Sequence, residues 1–403
     1  MTRQDLTRSG ALVAVAMLLM SVVTYAYNLV AARILIPAEF GALTALLSII
    51  LIANVVALGI QAAIARHIAI HPEQTDAITK TTSRVAVAIS VMIGAAVAAS
   101  TVIFTPLLNL DSHLAVVYCG AMMVPLTIMG AQAGVAQGSG KWWRLSLLYL
   151  GSGFGRLFGG TIGMLIDPTA TGAMFGLAIG GWLPVIAGIG LLRTPAETEM
   201  TSRKPLVAET FSASLTLFAY FTLSNLDALL GRSVFDAHDS GLYAAGLIMT
   251  KSALFLPQFV SVVFFPMLAR DSGQRSRLTA VSLVAGFGAV AVVGVALLPD
   301  LALVLVGGDK YAEISGKLWI FAMTGTVLAI VYVLVFDALA RRVTGVAAML
   351  WLTTTIIVGL TVWLQPATWQ LSVIVSATSA MCALALLVIP ILQAKSPEST
   401  QSR

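Results

Sequence analysis

The sequence predicts an all-α integral membrane protein of about twelve transmembrane helices, arranged as two six-helix lobes related by an axis along the membrane normal. Three observations predict it. Hydrophobic residues make up 58% of the 403-residue chain and charged residues 10%, against roughly 25% charged in soluble domains. Apolar runs of about twenty residues or more recur from end to end, each long enough to cross a ~30 Å hydrocarbon core. The basic residues gather in alternate loops, and a weak repeat relates the two halves.

The expected spans lie near residues 9–33, 39–66, 82–107, 114–137, 141–166, 169–193, 207–231, 240–269, 276–298, 313–340, 343–364 and 367–394. Breaks fall at Pro106, Asp111, Asp167-Pro168, Pro195, Pro299-Asp300 and Pro366, residue types that punctuate helices. The first run follows Arg3 and Arg8 and offers small-residue contexts at Tyr25-Ala26 and Ala31-Ala32. It is long for the apolar core of a signal peptide and is read as a retained span. Mean hydropathy is +0.94, and no linker is long enough to isolate a soluble domain.

Orientation follows from the excess of Lys and Arg in loops that stay cytoplasmic. With both termini inside, 17 of the 23 basic residues fall on the inner side, among them Arg66, Lys80, Arg84, Lys141, Arg144, Arg277 and Arg341. Arg33, Arg232, Lys310 and Lys317 fall outside, and Arg156 and Lys251 fall within spans. The pattern fits the plasma (inner) membrane of a bacterium. A formal charge of +5 carried in dispersed clusters, not on one basic stripe, argues against nucleic acid as a partner. Cys119 and Cys382 lie inside apolar runs, so no disulfide framework or cysteine metal site is expected, and no cofactor is implied.

Residues 1–200 and 201–403 are read as the two lobes. Asn28 and Arg33 precede Gly41 in the first, and Asp227 and Arg232 precede Gly241 in the second. The following helix ends Ile64-Ala65-Arg66 in one half and Leu268-Ala269-Arg270 in the other. Repeats of the same membrane orientation place a substrate path between the lobes. Helix five carries Gly151, Gly155, Gly159 and Gly163, and helix six Gly172, Gly176 and Gly180, ridges that let backbones approach closely in lipid. Pro125, Pro184, Pro257, Pro266 and Pro390 fall inside spans, where each removes a helix hydrogen bond and favours a kink.

An ionisable group in a span is costly and is a functional hypothesis by default. Arg156 lies fifteen residues beyond Lys141, about 22 Å along the axis at 1.5 Å per residue. Such a guanidinium can face a lipid phosphate, or pair with a carbonyl or with Asp167. Lys251 and Gln258, and likewise Asn54 and Gln61, are seven residues apart and so share a helix face. If these faces line the cleft, Lys251 can neutralise a phosphate and the amides can bind sugar hydroxyls. The alternative is hydrogen bonding between helices. Asp227, with Asn225 before it and Arg232 after it, is a candidate for coupling to a proton or sodium gradient; its alternative is an ion pair with Arg232 or Arg33. Asp337 and Arg341 read as a structural i,i+4 pair.

Three stretches carry a family resemblance: Ala32-Arg33-Ile34-Leu35-Ile36-Pro37-Ala38-Glu39-Phe40-Gly41, Asn225-Leu226-Asp227 through Gly241-Leu242-Tyr243-Ala244-Ala245, and Leu297-Leu298-Pro299 through Gly307-Gly308-Asp309-Lys310-Tyr311. They resemble the first external turn, the junction of helices seven and eight, and the loop into helix ten of Wzx-type polysaccharide and oligosaccharide flippases. That family belongs to the multidrug/oligosaccharidyl-lipid/polysaccharide (MOP) superfamily. The resemblance implies two six-helix bundles around a basic central cavity that opens alternately to either side. Its implied cargo is a polyprenyl-pyrophosphate-linked oligosaccharide, with Arg33, Arg232, Asp227 and Lys251 near the cavity. Its implied partners are membrane lipid, an ion gradient, and a polysaccharide polymerase or glycosyltransferases.

Three other functions call for different features. A membrane enzyme needs a catalytic or metal constellation, whereas His67, His71, His113 and His238 are scattered at span edges and no Asp-x-Asp pair occurs. A cation-coupled drug exporter of the same superfamily shares the fold but calls for an acidic pocket in the first half, which the sequence does not display. A non-transporting scaffold would show partners and no response to gradients.

Overall fold

The computed structural model describes residues 3–192, 215–253, 274–341 and 343–394, and these form helices joined by short turns. Helices α1 (Arg3–Ile34), α4 (His113–Gly138) and α5 (Trp142–Ile166) are unbroken. Span α2 runs from Pro37 to Ile70 and loosens at Asn54; span α3 divides at Ser100 into Thr75–Ala99 and Thr101–Leu107. Span α6 divides at Gly181 into Ala170–Gly180 and Trp182–Ala187. Pro184 explains that division, because it has no N–H to donate to the carbonyl of Gly180. Span α7 comprises the helical segment 215–223 and Leu226–Val234, and is broken at Ser224-Asn225. The second half continues with α8 (Ala237–Ala253), α9 (Gln274–Leu297), α10 (Leu318–Ala340), α11 (Val346–Leu364) and α12 (Thr368–Ala394). A short helix, Pro299–Val306, and a 3-10 stretch, Asp309–Lys317, link α9 to α10.

The helices group as the repeat requires. Spans α1 to α6 pack on one another, α5 lying between α1 and α6 and α4 against α2 and α3; α8, α9 and α12 gather around α10. Lipid-facing positions are apolar, with Val102, Ile166, Val290, Leu297, Trp363 and Met381 all exposed, as expected where hydrocarbon is the solvent. The division at residue 200, together with Pro195, Pro257 and Pro266, lies outside the described residues. Pro125 sits within an unbroken α4.

The glycine ridges act as their spacing indicates. Gly155 faces the Gly180 carbonyl, Gly159 the Gly176 carbonyl and Gly163 the Gly172 carbonyl, so α5 and α6 meet backbone to backbone. The second helix of each lobe makes the contact between lobes. Gly41 of α2 lies against Ser240 and Gly241 at the start of α8, and Gly241 lies against Pro37. Contacts between lobes involve α2 before Asn54, α8, the second part of α7, the end of α1 and the helix Pro299–Val306. They gather at the end of the bundle that carries the α1–α2 and α7–α8 turns, here termed the closed end. Asp337 and Arg341 form the expected pair at 2.9 Å, and Arg277 of α9 approaches the same carboxylate at 3.9 Å.

These contacts make the ridges testable. A Cβ on Gly159 would lie 2.8 Å from Gly180 Cα, so Gly159→Ala should force α5 from α6 and cost about 1–3 kcal/mol, as overpacking does. Gly286→Ala, where nothing lies within 4 Å, should leave the thermal midpoint in detergent unchanged or raised. Equal midpoints for the two variants would remove the packing account.

Candidate functional site

Burial along α2 and α8 locates the opening between the lobes. Residues 40–50 of α2 are buried on every face except at Thr44, and positions 51–54 are then all partly exposed. Residues 240–250 of α8 are likewise buried throughout, and Lys251 and Ser252 are then partly exposed. The change marks where one face of each helix is no longer covered by its neighbours. Because Gly41 lies against Gly241, these uncovered positions fall at the same depth, with Asn54 and Lys251 among them. The Asn54 side chain has no hydrogen-bond partner among the described residues; its backbone keeps helical bonds to Ile50 and Leu58.

Lys251 is anchored by the break in α7. Its Nζ donates to the Ser224 carbonyl at 2.5 Å and to Asn225 Oδ1 at 2.8 Å. In a continuous helix the Ser224 carbonyl would accept from the N–H of Ala228. That N–H instead donates to Asp227 Oδ1 at 2.9 Å. The two charged side chains therefore satisfy the two backbone groups that the break exposes, which an apolar environment demands. Asn225 Nδ2 completes the arrangement on the Phe221 carbonyl at 2.8 Å and on Ser224 Oγ at 3.2 Å. Asp227 is 1% exposed, and Tyr243 of α8 donates to its Oδ2 at 3.4 Å. No ion pair joins Asp227 to Arg232 or Arg33.

Arg156 stands apart from this cluster. It lies on the face of α5 turned to α1, between Gly153, which meets Met20, and Gly160, which meets the ring of Tyr27. The Tyr27 phenol lies close enough to the guanidinium to interact with it electrostatically. Tyr27 is 0% exposed, and its hydroxyl has no hydrogen-bond partner. Arg156 is partly buried and meets neither a carboxylate nor a hydrogen-bond acceptor among the described residues. Asp167, its alternative partner, accepts from Thr169 Oγ1 at 2.9 Å.

Several other expected site residues are occupied elsewhere. Gln61 Nε2 donates to Gln137 Oε1 and to the Tyr149 hydroxyl, both at 3.0 Å, and so joins α2 to α4 and α5. Asn28 Nδ2 donates to the Thr24 carbonyl of its own helix at 3.2 Å. Arg33 and Arg232 lie at the closed end, on backbone carbonyls of the opposite lobe. Gln258 lies outside the described residues. Arg232 also borders a polar cavity of about 250 Å³ with Glu39, Asp111, Ser112, Asp167 and Thr169. Tyr27, Ser224 and Tyr243 carry no sequence signal of their own, since each matters only through what the fold sets beside it. Among the described residues no cluster of three His, Cys, Asp or Glu side chains could hold a metal.

No protein-family model and no curated protein sequence matches this chain. Solved structures do, over nearly its whole length. An inward-facing multidrug resistance MATE family transporter of the MOP superfamily is 12% identical, with 95% of this chain and 100% of that one covered and a TM-score of 0.71. The lipid II flippase MurJ in an inward closed conformation is 14% identical, covering 94% of this chain and 87% of that one, also at TM-score 0.71. An outward-facing MATE family transporter is 12% identical, covering 97% of each chain, at TM-score 0.66. The fold is therefore the one that these transporters and this flippase share.

Lys251 can be tested as a structural group. Lys251→Met should leave the Ser224 carbonyl and Asn225 Oδ1 without a charged donor and lower stability by about 1.5–3 kcal/mol, the range for hydrogen bonds to charged groups. Lys251→Arg should retain most of it. An unchanged thermal midpoint in Lys251→Met would show that the break does not depend on this side chain.

Proposed function

We propose that this protein is a flippase of the Wzx type, moving a lipid-linked (polyprenyl-pyrophosphate) oligosaccharide across a bacterial inner membrane by alternating access. The observation that carries this reading is the balance of charge deep in the bundle. Among the described residues, the charges far from both ends are Arg156, Lys251 and Asp227. The only carboxylate of the three is buried and held by Tyr243 and its own backbone. The two cations are partly exposed, and Arg156 has no counter-ion. This excess of uncompensated cationic charge, spread over the two lobes, suits an anionic head group, whereas a cationic drug would need the reverse.

The described charges also support an orientation. The open end carries Arg66, Lys80, Arg84, Lys141, Arg144, Arg277 and Arg341 against Glu73, Asp76 and Asp337; the closed end carries Arg33, Arg232, Lys310 and Lys317 against Glu39, Asp111, Asp167, Asp236, Asp239, Asp300, Asp309 and Glu313. By the positive-inside rule the open end faces the cytoplasm. In this state the sugar-pyrophosphate head enters from the cytoplasm between α2 and α8, and the prenyl chain stays in lipid. Asn54 at the rim offers an amide to sugar hydroxyls. The halves of residues 1–200 and 201–403 move as the two lobes, and Asp227 is the group through which a proton or sodium gradient acts.

The test is transfer of a fluorescent polyprenyl-pyrophosphoryl sugar across proteoliposome membranes, with empty vesicles as the control. Transfer should require protein and respond to an imposed gradient. Arg156→Ala should slow it at least tenfold, about 1.4 kcal/mol or more, with insertion and thermal midpoint unchanged. Asp227→Asn should remove the gradient response. Efflux of cationic drugs without transfer of the lipid-linked sugar would replace this reading with that of an exporter.

A further inference from the structure

The closed end is held by side chains of each lobe bonded to the backbone of the other. Arg33, at the end of the first helix of the N-terminal lobe, donates from Nη2 to the Val304 carbonyl at 3.2 Å. Arg232, at the end of the first helix of the C-terminal lobe, donates from Nε to the Leu108 carbonyl at 2.8 Å and from Nη2 to the Asn109 carbonyl at 2.9 Å. Val304 lies between the third and fourth helices of its lobe, and so do Leu108 and Asn109 in theirs. Each arginine thus reaches the corresponding segment of the opposite lobe, in keeping with the pseudo-twofold relation of the halves. Arg232 Nη1 reaches further, to the Ala38 carbonyl at 3.2 Å and Ser240 Oγ at 2.9 Å, on the two sides of the α2–α8 contact.

A strap reinforces the Arg33 side. Lys310 Nζ donates to the carbonyls of Arg33 at 2.6 Å and Leu35 at 3.2 Å, and the Tyr311 hydroxyl donates to that of Ala32 at 3.0 Å. Tyr25 of α1 donates in return to the Leu305 carbonyl at 2.8 Å. Gly307, at φ 132°, makes the turn that seats Tyr311, and a Cβ there would lie 2.6 Å from Tyr311 Cε2 and 3.0 Å from Ala32 Cβ. Several of the acceptors share one chemistry. Ala32 and Arg33 are in the last turn of α1, and Leu108 and Asn109 follow the end of Thr101–Leu107, where helix carbonyls lack intrahelical partners and the helix dipole is negative. None of these donors is within ion-pair distance of a carboxylate among the described residues.

We propose that Arg33, Arg232, Lys310 and Tyr311 form a reciprocal clasp whose release lets α2 and α8 part and opens this end of the bundle. Because every acceptor in the opposite lobe is a backbone carbonyl, the clasp is controlled by its donors alone. Its halves differ in kind: Arg232 is 7% exposed with four acceptors, whereas Arg33 and Lys310 are exposed. The strap half is therefore the one that water reaches first. The clasp concerns conformation and stands whichever solute is carried.

The experiment is pulsed electron–electron distance measurement between spin labels at Leu114→Cys and Val234→Cys, exposed sites outside the clasp on opposite lobes. Cys119 and Cys382 would be replaced by Ala, and the full chain would be held in lipid nanodiscs. Lys310→Met and Arg33→Ala should each raise the population at the longer distance at least threefold, and Arg232→Gln more. Lys310→Arg, which keeps a cation on the same carbonyls, should resemble the parent. Arg33 and Lys310 are exposed, so these variants carry the test even if Arg232→Gln does not fold. Unchanged distance distributions in both Lys310→Met and Arg33→Ala would overturn the clasp.

Discussion

The constraint on which the rest of the structure depends is that backbone polar groups in the bilayer interior have no water to turn to. At several departures from an unbroken helix, a side chain meets the exposed group. At Ser224 the departure is answered by Lys251 and Asp227. At the ends of α1 and of Thr101–Leu107, carbonyls left without helical donors are answered by Lys310, Tyr311 and Arg232. The same rule thus produces the charged cluster within one lobe and the bonds that join the lobes.

Close approach of backbones supplies the second element. Glycines facing carbonyls bring α5 and α6 together inside one lobe, and Gly41 with Gly241 brings α2 and α8 together between lobes. The first contact is extended along both helices and suits a permanent assembly. The second is confined to one end, and beyond it each helix has partly exposed positions, at 51–54 of α2 and at Lys251 and Ser252 of α8. A joint that is tight at one end and open at the other fits two bundles that rock about it.

Much of this is legible in the sequence, for identifiable reasons. Span positions follow from hydropathy because lipid imposes both length and apolarity. The glycine series could be read because a four-residue spacing has one structural meaning on a helix. The matched spacing of Arg33 and Arg232 correctly marked equivalent positions, but a repeat cannot disclose that each arginine is aimed at the other lobe. Lys251 and Asp227 were legible as expensive charges. That they replace one helical hydrogen bond depends on a break at Ser224, where no proline or glycine announces it. The Gln61 face was read correctly as polar, yet its partners, Gln137 and Tyr149, lie 76 and 88 residues away, beyond what periodicity can show.

The lobes share an architecture but divide its chemistry unequally. In the C-terminal lobe the first helix is broken, and its carboxylate and ammonium are satisfied by one another's surroundings. In the N-terminal lobe α1 is unbroken, and the deep cation Arg156 has a neutral phenol, Tyr27, for an electrostatic neighbour and no anion. A charge that is compensated only when something anionic arrives belongs on the binding side of a transporter. A charge set already balanced by backbone and hydroxyl groups can change its protonation or its ion without emptying the site. On the flippase reading, this asymmetry assigns head-group recognition to the N-terminal lobe and energy coupling to the C-terminal one. The clasp at the closed end is then the element through which either event must act to turn the bundle outward.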